Sequence, residues 1–244
     1  MNCVRYRLIS FLDISPPIDY ELKMNDQSFY QARKIMLESQ IRPNKVIDEL
    51  VLSAFSETPR ELFVQKSMRD IAYIDEDLPL SNGRYLMEPM VLARLVQSLE
   101  LKPSDNVMII GVGTGYSAAI ISKMVTSVIG IESRAPLIQK AESNLAQLDI
   151  TNTVLFKERL QDGFSKEAPY NAILIDGGVS CVPNSILNQL AVDGKLVSIY
   201  RSDSTAAGEA SSWMRSSDKF SRTCLFNAQV PTLEEFKEKP EFQF

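Results

Sequence analysis

The chain has 244 residues, 45% of them hydrophobic, and a formal net charge of -5 with acids and bases interspersed. That is enough apolar material for one sizeable domain, or a domain with an appendage, and no basic run exists to neutralise phosphates, so nucleic acid is not an expected partner. There is no histidine, and the three cysteines, Cys3, Cys181 and Cys224, lie far apart, which argues against a metal site and a Ser-His or Cys-His nucleophile and fits a reducing cytoplasm.

No stretch approaches the ~20 apolar residues of a bilayer span. The apolar run after Arg5 and Arg7 is broken by Asp13 and two prolines, so neither a signal peptide nor a membrane anchor is expected. Residues 1–23 are read as an N-terminal extension and a candidate for disorder. From there, Phe29, Ala32, Ile35, Met36 and Ser39 recur at helical spacing and predict a helix over 26–39. Pro43 and Asn44 open a second helix whose apolar face is Val46, Ile47, Leu50, Val51 and Ala54. A short third helix starts at Thr58-Pro59. This front section has no strand pattern and is expected to cap something else. Residues 75–89 read as loop, with Pro79, Asn82-Gly83 and Pro89 as breakers. A helix follows, burying Val91, Leu92, Leu95, Val96 and Leu99.

Then the pattern alternates. Strands are predicted at 107–110, 128–131, 153–156, 172–175 and 196–200, with helices at 116–124, 135–148 and 183–190. Short apolar strands alternating with helices predict an α/β fold, a mostly parallel sheet with helices on both faces. Residues 220–230 are candidate strands that would make the sheet mixed. The division expected is an extension (1–23), a helical cap and substrate-side loop (24–90), a Rossmann-like core (91–200) and C-terminal strands and tail (201–244).

The first strand of the core runs through Gly111-Val112-Gly113-Thr114-Gly115 into a helix. Glycines there let the backbone turn tightly and approach a ligand closely. The spacing is G-x-G-x-G, with Tyr116 where a dinucleotide site carries its third glycine. S-adenosyl-L-methionine (SAM), which has no pyrophosphate, suits this loop better than NAD does. Glu132 ends the next strand, 21 positions after Gly111, where an acid accepts hydrogen bonds from ribose hydroxyls; Ser133 follows it. Asp162, beside Gly163, is the candidate for the adenine amino group. Asp176 ends the fourth strand and faces cofactor or substrate, or caps its turn.

Several blocks together resemble the protein-L-isoaspartate O-methyltransferase family. Pro59-Arg60-Glu61-Leu62-Phe63-Val64 resembles its P-R-x-x-F-V. Residues 72–80, Ala72-Tyr73 through Leu78-Pro79-Leu80, resemble its A-Y-x-D-x-x-L-P-I. The glycine loop with Tyr116, Gln161-Asp162-Gly163, and Val182-Pro183 through Gly194-Lys195-Leu196-Val197 match in order. The resemblance implies a SAM-dependent Rossmann-like methyltransferase that repairs aged protein by methylating isoaspartyl carboxylates, with a protein or peptide as partner. It places Gly83, Met87, Glu88 and Pro89 on the substrate side.

The departures sit there too. The family reads G-Q-T-I-S-x-P, and this chain reads Gly83-Arg84-Tyr85-Leu86-Met87-Glu88-Pro89. Met87 falls on the family's active-site hydroxyl, so no catalytic residue is assigned, and serine at that position is expected to restore a donor. Three readings stand: a carboxyl methyltransferase acting on isoaspartate, a methyltransferase of this fold with another acceptor, and a non-catalytic SAM-binding module. Nothing in the pattern selects between a monomer and a homodimer.

Overall fold

The computed structural model of the chain describes residues 18–202 and 207–237. Helix α1, Ile18–Met36, begins inside the stretch read as an extension, directly after Pro16-Pro17; residues 1–17 lie outside the described residues. It widens at Leu37–Ile41, where Arg42 N–H reaches back to the carbonyl of Leu37, and ends in a tight turn at Arg42–Asn44, where Pro43 cannot extend a helical ladder. Helix α2, Glu49–Glu57, starts later than expected, because Asp48 caps it by accepting from the N–H groups of Leu50 and Val51 at 2.8 and 3.3 Å. Ile47 therefore lies outside the helix at 79% exposure, and Leu50 points outward; Val46, Val51 and Ala54 are buried as expected.

A short turn at Arg60–Leu62 leads to a two-stranded antiparallel ribbon, β1 (Leu78–Pro79) with β2 (Tyr85–Leu86), inside the segment expected to be loop. Helix α3, Pro89–Ser98, carries proline at its first position, where no N–H is missed. The core then follows: β3 (Asn106–Ile110), α4 (Tyr116–Ile121), β4 (Ser127–Glu132), α5 (Ala135–Gln147), β5 (Thr153–Lys157), β6 (Tyr170–Val179), α6 (Asn184–Leu187), β7 (Leu190–Tyr200), β8 (Glu209–Ser216) and β9 (Lys219–Asn227).

The sheet has seven strands in the order β5-β4-β3-β6-β7-β8-β9. The first five are parallel, and β8 and β9 are antiparallel additions, so the sheet is mixed. Alternation along each strand fills two cores. Val107, Ile109, Val128, Leu174 and Val197 pack against α2, α3 and α4; Met108, Ile110, Ile131, Ile173, Ile175 and Leu196 pack against α6 and the C-terminal segment. The chain order reverses at β3, which lies between β4 and β6. In an open parallel sheet that reversal opens a crevice at the carboxyl strand ends. No helix among the described residues is long and apolar enough to cross a membrane.

Candidate active site

The glycine loop leaves β3 at this crevice. Gly111 and Val112 donate to the carbonyl of Ile131 at 2.9 and 3.2 Å, which ties the loop to the end of β4. Gly111, Gly113 and Gly115 all have positive φ, the region that disfavours side chains. Gly115 serves packing: a Cβ there would stand 3.2 Å from the Cβ of Ala141 on α5. Thr114 is tied inward, its hydroxyl donating to the carbonyl of Phe63 at 2.6 Å, while its carbonyl accepts from Asn144. Val112 packs over Gly130 of β4. Gly111 and Gly113 are thus the two loop glycines with no helix against them.

Glu132 is completely buried at the end of β4, and both its oxygens are engaged. Oε1 accepts from Arg84 Nη2 at 2.8 Å, Ser133 N at 2.8 Å and Arg134 N at 3.0 Å. Oε2 accepts from Arg84 Nε at 3.0 Å and Gly113 N at 3.3 Å. Arg84 is itself held by Glu235, from Nη1 to Oε2 at 3.1 Å and Nη2 to Oε1 at 2.9 Å, and Ser133 Oγ donates to Glu235 at 2.6 Å. Burial opposes ionisation of Glu235, but the hydrogen bonds from Arg84 and Ser133 hold its carboxyl at about 2.

The turn expected at the adenine lies beside this network. Gln161 Nε2 donates to the carbonyl of Glu235. The Asp162 side chain is exposed and stands 3.7 Å from Arg159. Gly163 is dictated by its neighbour, since a Cβ there would stand 2.6 Å from Gln189.

Asp176 follows Ile175, whose register partner on β3 is Ile110, so it stands level with Gly111. Among the described residues no hydrogen bond of ordinary geometry reaches its Oδ1, Ser117 Oγ, Tyr116 Oη or Arg60 Nη1, although the Ser117 hydroxyl faces the Asp176 carboxyl and the Tyr116 hydroxyl faces Arg60. Burial pushes the Asp176 carboxyl up to about 6, against the pull of the Ser117 hydroxyl and the Arg60 charge. Arg60 is buried, donates to the carbonyls of Ala72 and Met87 at 2.7 and 2.8 Å, and lies over the Tyr116 ring at 4.9 Å.

On the substrate side, Gly83 is exposed with φ 73, and open space surrounds its Cα. Pro89 is the first residue of α3. Met87 is 2% exposed and part of the main apolar core, so serine there would bury a hydroxyl and open a void rather than simply restore a donor. Glu88 donates its N–H to Asp77 Oδ1 at 2.8 Å. Burial, then the neighbouring charges of Asp77, Asp75 and Glu76, push the Glu88 carboxyl up to about 7. Burial likewise raises Asp77 to about 6.

Sequence reasoning missed Arg84, Gln161, Ser117, Leu233 and Glu235. Arg84 had a signal: it stands at a departure from the family pattern, where glutamine is usual. Leu233 and Glu235 had none.

The family model for protein-L-isoaspartate (D-aspartate) O-methyltransferase matches residues 31–206. The chain belongs to this family. Protein-L-isoaspartate O-methyltransferase 2 of Pelobacter propionicus is 38% identical over 165 residues, covering 68% of this chain and 73% of that protein. Protein-L-isoaspartate O-methyltransferase 1 of Rhodopseudomonas palustris is 36% identical over 179 residues, covering 73% of each. Two solved structures share the fold. One, a protein-L-isoaspartate O-methyltransferase, has a TM-score of 0.72 at 23% identity, covering 88% of this chain and 67% of its own. The other, a beta-aspartate methyltransferase (PCMT) from Plasmodium falciparum in complex with S-adenosyl-L-homocysteine, has a TM-score of 0.71 at 22% identity, covering 83% and 98%. The family is one of SAM-dependent methyltransferases, and the Rossmann-like fold expected from the alternating pattern agrees with it.

Proposed function

We propose that this chain transfers a methyl group from SAM to an isoaspartyl carboxylate of a protein substrate. The single observation that carries the reading is the family match across 31–206, which spans the glycine loop, the strand-end acid and the substrate-side ribbon in one frame.

The residues suit the cofactor in kind. Gly111 and Gly113 bring backbone without side chains to the carboxyl ends of the strands, and Asp176 with Ser117 sets a buried carboxyl and hydroxyl beside them. Gly111–Gly115 would run along the amino-acid part, with Val112 and Thr114 shaping the loop, and Asp176 with Ser117 would take its ammonium. Glu132 and Ser133 would take the ribose hydroxyls, and Gln161 to Gly163 the adenine edge. Bound there, SAM supplies an electrophilic methyl group on a sulfonium.

The rest falls to the chain's own residues. An in-line displacement needs the acceptor held in line and water kept out. A substrate carboxylate is already ionised at neutral pH, so the lack of histidine removes nothing the reaction needs. Glu88, raised to about 7, keeps its proton in about half of the molecules at neutral pH, whereas Asp77, at about 6, is mostly ionised there and helps to hold the Glu88 proton in place. A neutral carboxylic acid can donate a hydrogen bond to an anion instead of repelling it, which gives the substrate side a donor despite Met87. Incubation with labelled SAM and an isoaspartyl peptide tests the proposal: the expected product is a methyl ester that releases labelled methanol in mild alkali. Label stable to alkali would point to another acceptor.

A further inference from the structure

The segment after β9 returns across the carboxyl ends of the strands and meets three of the places assigned above to the cofactor: Gly111, Ser133 beside Glu132, and Gln161. Thr232 bridges to Gly178, and Leu233 N–H donates to the carbonyl of Gly178 at 2.9 Å. The Leu233 side chain, 4% exposed, fills the hollow between two bare glycines: a Cβ on Gly111 would lie 3.3 Å from it, and one on Gly177 2.7 Å. Glu235 covers the strand-end acid through Arg84 and Ser133, and its carbonyl takes the amide of Gln161. Phe236 is buried, and its carbonyl accepts from Ser180 N–H at 3.2 Å. Each Glu132 oxygen accepts one bond from Arg84 besides its backbone bonds, and Glu235 holds that guanidinium in place from the other side, so the plug and the occupation of Glu132 are coupled.

We propose that residues 230–237 are an intramolecular plug of the cofactor groove, held by Glu235 on Arg84 and by Leu233 over Gly111 and Gly177, which must withdraw before SAM binds. The proposal rests on the cofactor reading above. The plug is built to be displaceable: its polar anchors, Arg84, Ser133 and Gln161, are side chains that a nucleoside can satisfy in its place, and its apolar anchor is one leucine. Binding and plug release are then linked, and the observed affinity is the intrinsic affinity reduced by the fraction of chains with the groove open.

The test uses the full chain and S-adenosyl-L-homocysteine as the probe. Hydrogen exchange is followed at the amides of Leu233, Phe236 and Lys237, and calorimetry compares the wild type with Glu235→Ala and Leu233→Ala. Saturating probe is expected to speed exchange at these amides, and either substitution to tighten probe binding about tenfold, the scale of one charge-assisted hydrogen bond lost from the closed state for Glu235→Ala and of lost apolar burial for Leu233→Ala. The exchange measurement needs no variant, so it holds even if Leu233→Ala folds poorly. Probe binding that leaves these amides unchanged or better protected overturns the plug while the cofactor reading stands. Binding absent from the wild type and present in Glu235→Ala supports the plug. Binding absent from every folded variant overturns both.

Discussion

The guanidinium of Arg84 meets the carboxylate of Glu132 edge to edge, Nη2 to Oε1 at 2.8 Å and Nε to Oε2 at 3.0 Å, and both side chains are shut off from solvent. Residues 48 positions apart are thereby locked at the point where the sheet order reverses. Removing one partner of a buried pair strands the other charge, which costs far more than an exposed pair contributes. Glu132→Gln is therefore expected to lower the unfolding free energy by about 3 kcal/mol, softened where Glu235 still neutralises Arg84. Urea denaturation checks this. A loss within ~0.5 kcal/mol, the range of an ordinary surface change, would mean the pair is not formed in solution.

Glu88 and Asp77 set a pH dependence of the less common sign. Their carboxyls rise from 4.5 to about 7 and from 3.8 to about 6. Between the ordinary and raised values the folded chain holds more protons than the unfolded one, so stability falls as pH rises through roughly 4 to 7. Glu88→Gln should remove about half of what this pair contributes, while Asp77 and Asp176, each raised to about 6, keep a fall of the same sign, and should leave the melting temperature at pH 8 higher than that of the wild type. An equal pH slope in both proteins would show that Glu88 titrates normally. Glu235 acts oppositely: its contribution is complete above about 4.5 and is lost only as pH falls through about 2.

Met87 sits in the core, so the serine that the family pattern calls for is expected to harm rather than help. Met87→Ser removes most of a buried side chain and leaves a void, for a loss of about 2–5 kcal/mol. Thermal melts and initial rates with an isoaspartyl peptide, measured together, decide it. A stable variant with a raised rate would mean that Met87 lines the acceptor pocket.

Gly115 tests which loop glycine serves which purpose. Its φ is 95, and Ala141 stands 3.2 Å from any Cβ it might gain. Gly115→Ala is expected to cost about 1–3 kcal/mol through strain at positive φ and the push on α5. Probe affinity per folded molecule should change little. A large affinity loss with unchanged stability would assign this glycine to the ligand instead.

The alternation of short apolar runs with helical spacing made the parallel core legible, because β3, β4 and β6 are buried over 107–110, 128–131 and 172–175, where they hold no polar side chain. Helix starts were less legible. Ile47 and Leu50 fit an apolar face by spacing, yet the Asp48 cap begins the helix after one of them and turns the other outward. The place of Glu132 at the end of β4 was legible, but its buried pairing was not. The group that occupies it, Arg84, is placed by a ribbon of two short strands, and Glu235 lies 151 positions further along the chain. Contacts of that range leave no periodicity in the sequence. Asp162, expected at the adenine from its place beside Gly163, has an exposed side chain 3.7 Å from Arg159, an environment that the sequence position alone did not show.

The most direct measurement of the central claim is the initial rate of methyl transfer from SAM to an isoaspartyl peptide beside the same peptide carrying ordinary aspartate. The expected result is a base-labile methyl ester formed on the isoaspartyl peptide alone, with a higher rate in Glu235→Ala than in the wild type. Equal labelling of both peptides, or none of either by a protein that binds S-adenosyl-L-homocysteine, would contradict it.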